Sequence, residues 1–162
     1  MSEGNVKKTK LIARPEDVSS PDAIIKATYD NISGPAGNRN WYRERTLFIK
    51  GAILIPIGKR IHKDGDFEIM SLDEWIEDTS KYLEENDFYE TEIMRKMYRY
   101  GDIMHVFSTY EARTDPEGKP IARGINCLQL LHKDDRWWIV SIMWDNESKE
   151  NPIPEEFLPY LW

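Results

Sequence analysis

The last predicted strand of the chain constrains the fold more than any other segment. From Trp137 to Trp144, seven of eight positions carry an aromatic or aliphatic side chain. Successive side chains of a strand point to opposite faces, so this strand is apolar on both and must be covered on both. We therefore expect a helical layer on one face of its sheet and a second subunit on the other.

Three other segments with strand character come before this one. Together they predict four consecutive antiparallel strands, at about 88–98, 103–113, 121–132 and 136–145. The connecting residues are rich in Gly, Pro and Asp, which favour tight turns.

Side-chain chemistry suggests how the strands pair. Opposite charges at Glu111 and Arg123 favour placing them across from each other, which makes Ser108 face Asn126. A two-residue turn at 134–135 would then make Asn126 face Met143. One predicted face mixes small, apolar and a few polar groups, as a pocket wall does: Ser108, Tyr110, Asn126, Trp137, Ser141, Met143 and Asp145. The other mixes large aromatics with charge pairs, as a subunit interface does.

Helices are predicted before the sheet. Ser20 and Pro21 are typical of a helix start, and this helix is expected to run to about residue 33, followed by a short helix at 39–48. Ser71 and Glu74 form a capping-box pattern that opens a helix over 72–85. Pro56 makes the apolar run 51–58 an edge strand or a strand that ends at a bend. Residues 63–66 predict a turn that closes a small hairpin.

The 162 residues are enough for one domain with its own core. We expect a flexible arm over 1–20, one α+β domain over 21–146 and an apolar tail over 147–162. The tail carries Phe157, Tyr160 and Trp162, so it is expected to dock on its own domain or on a partner subunit.

Charge and composition narrow the function classes. The net charge of −7 argues against a nucleic-acid partner, because binding to phosphates depends on clustered Lys and Arg. No segment has the length and apolarity of a membrane span or of a signal peptide, and the single Cys127 excludes an internal disulfide. We expect a cytoplasmic protein with no membrane partner, no metal site and no cofactor, since no ligand spacing or cofactor motif is present.

The order of elements is that of an α+β cone, a curved antiparallel sheet wrapped around N-terminal helices. At this level the chain resembles the nuclear transport factor 2-like superfamily, and within it the SnoaL-like, uncharacterised bacterial branch with its cystatin-like roll. The resemblance is carried by Tyr29, 33–37, Trp41, Leu47-Phe48, 88–90, 108–111, 123–126 and 136–140. It covers roughly residues 20–146. The superfamily includes isomerases, dehydratases, cyclases, epoxide hydrolases and non-catalytic binding modules.

The resemblance implies a pocket between the concave sheet face and the first helices. Enzymes of this fold place an Asp or a His–Asp pair in that pocket as general acid or base, often with a Tyr hydroxyl. Asp30 and Asp145 are the candidate acids here, although exposed surface carboxylates are commoner at a strand end and on a helix. Tyr29 and Tyr110 either donate hydrogen bonds to a ligand oxygen or bond to the protein itself. Asn126 either bonds to Ser108 or points at a ligand.

Two hypotheses about function follow. The first is a homodimeric, small-molecule-binding domain with a cofactor-independent lyase, isomerase or hydrolase activity on an apolar oxygenated compound. The second is a non-catalytic module for dimerisation or ligand sensing, with a cone filled by its own aromatic side chains. An enclosed cavity with an inward carboxylate favours the first, and a filled cone favours the second.

Overall fold

A computed structural model describes residues 10–57 and 67–160. In chain order, the elements of these ranges are α1 (Pro15–Val18), α2 (Pro21–Ile32), α3 (Trp41–Leu47), β1 (Phe48–Pro56), β2 (Met70–Ser71), α4 (Leu72–Glu85), β3 (Tyr89–Tyr100), β4 (Ile103–Arg113), β5 (Ala122–Lys133), β6 (Arg136–Asn146) and a 3₁₀ turn (Glu155–Phe157). The predicted turn at 63–66 lies outside the described residues.

The strands form one curved, unclosed sheet in the order β2-β1-β6-β5-β4-β3. Neighbouring strands are antiparallel except β1 and β6, which run parallel. The predicted α+β class with a curved sheet against N-terminal helices is confirmed. β1 ends at Pro56, as a strand that ends at a bend would.

Two helices start as their sequences predict. The Ser20 side chain accepts a hydrogen bond from the backbone N–H of Ala23 (3.0 Å) and caps α2. Ser71 and Glu74 form both bonds of the capping box at the start of α4. Each bond satisfies a backbone N–H that the first helical turn leaves without a partner.

The core lies between α2 and the concave face of the sheet. Ile24 and Ile25 of α2 are fully buried, as are Val106 of β4 and Ile139 of β6. Burying each such aliphatic side chain stabilises the fold by about 1.5–3 kcal/mol. The part of the cone between these residues of α2 and the sheet is therefore filled by the protein's own side chains.

The register of β4 and β5 is as predicted, with Glu111 opposite Arg123 and Ser108 opposite Asn126. β5 and β6 pair Leu130 with Ile139, as a two-residue turn at 134–135 requires, but Gln129 then faces Ser141, so Val140 is an extra residue in β6. This bulge makes Asn126 face Trp144 rather than Met143.

The predicted concave placement of Ser141, Met143 and Asp145 is therefore wrong. A shift of one residue exchanges the two faces of a strand, so these three side chains lie on the outer face. Ile142, Trp144 and Asn146 take their place on the concave face.

The two ends of the described chain pack on the domain. In α1, Val18 is part of the core and the buried Asp17 forms a two-bond ion pair with Arg43 (2.7 and 2.8 Å). Near the other end, the Phe157 ring stacks on Phe107 with centroids 5.2 Å apart, and its carbonyl accepts a bond from the Thr109 hydroxyl (2.6 Å). The tail therefore covers part of the outer face of its own sheet.

Candidate active site

A cavity of about 630 Å³ lies between the concave sheet and helices α2, α3 and α4. Its size falls in the range of small-molecule sites in proteins. Aromatic rings form much of its wall, among them Phe48, Trp75, Tyr82, Phe88, Tyr110 and Trp144. The cone is thus filled at one end and hollow at the other.

Glu90 of β3 lines this cavity and is anchored through its backbone. The Ser33 hydroxyl, just after α2, accepts a bond from the Glu90 backbone N–H (2.9 Å) and also lies 3.1 Å from the Glu90 carbonyl. Gly34 and Phe88 exchange two backbone hydrogen bonds next to it. The end of α2 therefore fixes where the Glu90 side chain enters the cavity.

The Glu90 carboxyl is only partly satisfied. Its Oε1 accepts a hydrogen bond from Nδ2 of Asn126 (3.2 Å), and no residue of 10–57 or 67–160 donates a hydrogen bond to its Oε2. Loss of hydration raises the pKa of Glu90 to about 7, although the bond from Asn126 opposes this rise. Near neutral pH this group can therefore either accept or donate a proton.

Glu44 of α3 is a second acidic residue of the cavity wall, with a different environment. It is 1% exposed, and both of its oxygens have donors, namely the Thr28 hydroxyl (3.2 Å) and Nδ2 of Asn31 (2.8 Å). Burial raises its pKa to about 7 despite these two bonds. A carboxyl with both oxygens bonded inside the protein is suited to holding α2 and α3 together.

Asn126 connects Glu90 to a chain of polar groups beside the cavity. Its Nδ2 also donates to the hydroxyl of Tyr29 (3.0 Å), which lies 2.7 Å from Oγ of Ser108. Ser108 in turn donates to the carboxylate of Glu92, which is paired with Arg95 (2.6 Å). Burial raises the pKa of Tyr29 further above its already high usual value, so its hydroxyl stays protonated.

Tyr110 lies across its strand partner Gly124 and reaches Asn146. A Cβ at position 124 would lie 2.4 Å from the Tyr110 hydroxyl oxygen, a distance that atoms do not tolerate. Gly124 therefore leaves the space through which Tyr110 donates to Oδ1 of Asn146. The hydroxyl groups of both candidate tyrosines thus bond within the protein.

The structure brings together only part of the predicted site. Tyr110 and Asn126 line the cavity, whereas Tyr29, Ser108 and Trp137 are buried in the core. Of the two predicted acids, Asp30 is paired with Lys26 on the exposed side of α2, and its side chain is 46% exposed. Asp145 lies on the outer face and accepts a bond from Asn151 (3.2 Å).

Among the described residues, three acidic ones line the cavity, Glu44, Asp78 and Glu90, and none of them was predicted as a site residue. A signal for Glu44 exists in the sequence, because it lies three residues before Leu47 and so shares its buried helix face. Glu90 carries no such signal, because its direction depends on an extra residue in β3 near Ile93.

Charged groups of the cavity wall have one sign. The described residues that line it include Glu44, Asp78 and Glu90 but no Lys, Arg or His. In the described ranges, no group of three or more His, Cys, Asp or Glu side chains could hold a metal ion. The helices of those ranges are also too short or too polar to cross a membrane.

Comparisons with known proteins show the fold. No protein-family profile and no curated protein sequence matches the chain. A nuclear transport factor 2-like protein of unknown function from Silicibacter pomeroyi is 18% identical, with a TM-score of 0.55 over 78% of this chain and 92% of that one. An uncharacterised cystatin-like protein from Caulobacter vibrioides is 12% identical, with a TM-score of 0.60 over 80% and 88%.

A candidate ketosteroid isomerase from Shewanella frigidimarina is 20% identical, with a TM-score of 0.56 over 83% of this chain and all (100%) of that one. These likenesses confirm the expected cystatin-like, nuclear transport factor 2-like fold. Sequence identities this low show a shared fold but no shared activity.

Proposed function

We propose that this nuclear transport factor 2-like domain binds a small, largely apolar, oxygenated molecule in its cavity and that Glu90 exchanges a proton with it. One observation carries this proposal. Glu90 is the carboxyl of the cavity wall that combines a pKa near 7 with an oxygen to which no described residue donates a hydrogen bond. A bound molecule can supply the missing partner.

The chemistry that fits best needs no cofactor. In an isomerase, for example, the Glu90 carboxylate would take a proton from a carbon next to a carbonyl, and the electron pair of that C–H bond would move towards the carbonyl oxygen. Where the substrate has a C=C bond next to that carbon, the enolate electrons would move back from the oxygen and the proton would return to the far carbon of that bond. This step restores the carboxylate and shifts the double bond next to the carbonyl. In a lyase, the electron pair of the broken C–H bond would instead form a double bond while a leaving group departs from the neighbouring carbon. In a hydrolase, Glu90 would take its proton from a water molecule that attacks the substrate and would give it to the leaving oxygen. We propose this group of reactions for a SnoaL-like domain.

The experiment compares two matched variants, Glu90→Gln and Glu44→Gln. A panel of neutral aryl and alicyclic ketones, lactones and epoxides is screened for binding through tryptophan fluorescence, since Trp75 and Trp144 line the cavity. Compounds that bind are then tested for turnover by NMR. We expect Glu90→Gln to abolish turnover and Glu44→Gln to retain it.

Equal turnover by Glu90→Gln and the unchanged protein would contradict the role of Glu90. A non-catalytic ligand-sensing or dimerisation module is the second candidate function. It is favoured by the bonding of both tyrosine hydroxyls within the protein, which leaves fewer groups to stabilise a reacting oxygen. Binding of panel compounds without turnover in any of the proteins would support this candidate.

A homodimer formed through the outer sheet face is part of the proposal, as is a cytoplasmic location. The dimer is supported by an exposed apolar side chain on that face, since Met143 is 45% exposed and lies opposite the half-buried Cys127. Sedimentation of the unchanged protein and of Met143→Arg tests the dimer. We expect a dimer that the charged side chain dissociates, and a monomer in both cases would contradict it.

A further inference from the structure

The polar chain that starts at Asn126 ends on an ion pair that does not line the cavity. Glu92 and Arg95 lie on β3, and their side chains are 20% and 17% exposed. Arg95 donates to Glu92 through Nε (2.9 Å) and Nη2 (2.6 Å), and it also contacts Asp22 at the start of α2. A carboxylate held by a guanidinium in this way is an acceptor only.

Because Glu92 can only accept, it fixes the direction of every hydrogen bond between Ser108, Tyr29 and Asn126. The Ser108 hydroxyl has one proton and gives it to Glu92, so its oxygen accepts the proton of Tyr29. Tyr29 then has no proton left, and its oxygen must accept from the side chain of Asn126. Nitrogen, rather than oxygen, of the Asn126 amide therefore faces Tyr29.

The same nitrogen faces Glu90 and donates to its Oε1 (3.2 Å). We propose that the Glu92–Arg95 ion pair acts through Ser108 and Tyr29 to fix the orientation of the Asn126 amide and so keeps Glu90 a hydrogen-bond acceptor. These residues thus position Glu90 for the proton exchange of the proposed function, on which their biological role rests. The same hydrogen bonds form in the protein without any ligand.

Reversing the direction of these hydrogen bonds would make Glu90 a donor instead of an acceptor. If Tyr29 donated to Asn126, the amide oxygen would have to face both Tyr29 and Glu90. That oxygen can only accept, so Glu90 would have to carry a proton to bond with it. Loss of the fixed direction therefore favours the protonated form of Glu90.

Charge effects alone predict that the pKa of Glu90 falls when Glu92 loses its charge, whereas loss of the fixed amide orientation predicts that it rises. The described ionisable groups that line the cavity with Glu90 are Glu44 on α3, Asp78 and Tyr82 on α4, and Tyr110 on β4. Tyr29 on α2 and the Glu92–Arg95 pair on its own strand belong to the hydrogen-bonded groups that end at Asn126. Removing the negative charge of Glu92 leaves Arg95 with less compensation. By charge alone, this change lowers the pKa of Glu90.

The experiment measures the Glu90 titration by NMR of the ¹³C-labelled carboxyl groups, with Glu90→Gln to assign the signal. The variants are Glu92→Gln, whose amide can donate as well as accept, and Ser108→Ala, which interrupts the chain in its middle. We expect the pKa of Glu90 to rise by about one unit in both, because one hydrogen bond to a carboxylate is lost. Glu156→Gln, which removes the same charge from the exposed pair with Lys96, serves as control and should leave Glu90 unchanged.

A lowered or unchanged pKa of Glu90 in either folded variant, Glu92→Gln or Ser108→Ala, would overturn the proposed role of the ion pair. Circular dichroism checks that each variant folds. If one of them does not, the pKa of Glu90 in the other variant alone tests the role of the ion pair. The titration requires no ligand and no turnover, so it can fail while Glu90 remains essential for turnover. Conversely, the expected rise can be observed even where the proposed function fails in the substrate screen.

Discussion

Glu90 pairs with Ala112 across β3 and β4, although the hairpin starts in a register that would pair it with Arg113. Tyr100 faces Ile103 and Met94 faces Thr109, but Glu92 faces Tyr110, so β3 contains one extra residue near Ile93. A bulge of this kind moves every later residue to the other face of the sheet. The bulge thereby turns Glu90 and Glu92 towards the concave side.

The stability of the protein should depend on pH through Glu44. Folding raises its pKa from 4.5 to about 7, so the folded state binds more protons than the unfolded state between these two values. The free energy of unfolding contributed by Glu44 is therefore largest below pH 4.5, falls as the pH rises through this window, and stays low above pH 7.

Glu44→Gln should remove this contribution, because glutamine is neutral and retains a donor and an acceptor for Asn31 and Thr28. We expect the variant to be more stable than the unchanged protein at pH 8 by about 1–3 kcal/mol. Near pH 5 the two proteins should differ little. Urea unfolding at both pH values measures this, and a loss of stability in the variant at pH 8 would contradict the assignment.

Gly124→Ala should destabilise the fold. The added methyl group would lie 2.4 Å from the Tyr110 hydroxyl oxygen and 2.3 Å from the carbonyl oxygen of Asp145, and the latter is backbone that cannot turn away. We expect a loss of about 1–3 kcal/mol in chemical unfolding, as for other overpacked sites. Gly118→Ala, whose methyl group would meet neighbours no closer than 3.1 Å, is the control and should lose less.

Ligand charge should affect binding to the cavity. Since its described ionisable wall residues are acidic, a carboxylate ligand should be repelled where a neutral one of the same shape is not. We expect methyl 2-naphthoate to bind at least about tenfold more tightly than 2-naphthoate at pH 8, a difference of about 1.4 kcal/mol. Tryptophan fluorescence titration measures both, and tighter binding of the carboxylate would count against the described wall as the binding surface.

Removal of the tail should weaken the domain. Deleting residues 151–162 removes the Phe157 ring from Phe107 and leaves the buried Thr109 hydroxyl without its acceptor. We expect a loss of about 2–4 kcal/mol in unfolding free energy, from the lost stacking and the unsatisfied hydroxyl. Phe157→Ala should show part of this loss. An unchanged melting temperature after the deletion would contradict a stabilising role for the tail.

The sequence predicted the elements of this fold well because their signals are local. The capping box at Ser71 and the two-residue turn at Asp134 and Asp135, where both residues have φ of 56°, depend only on neighbouring residues. Hairpin registers also followed from pairs such as Glu111 and Arg123, as long as the strands were regular.

The candidate site was less predictable because two β-bulges, one in β6 and one in β3, change which face of the sheet its residues occupy. The extra residue at Val140 turns Asp145 outwards and Trp144 inwards, and the one near Ile93 turns Glu90 inwards. Bulges have no strong local sequence pattern, and each one inverts the faces assigned by alternation. Asn126 was placed correctly since its pairing with Ser108 lies between regular parts of β4 and β5.

The most direct test of the central claim is to react the protein with dicyclohexylcarbodiimide and locate the adduct by peptide mass spectrometry. This apolar reagent fits a cavity of about 630 Å³, and a protonated carboxyl group that it reaches gives its proton to a carbodiimide nitrogen and adds through oxygen to the central carbon. Glu90 should be labelled strongly at pH 6 and weakly at pH 8.5, as its pKa of about 7 requires, while the enclosed Glu44 stays unlabelled. No labelling of Glu90 at either pH, or equal labelling of Glu44, would contradict an accessible proton-exchanging carboxyl at Glu90.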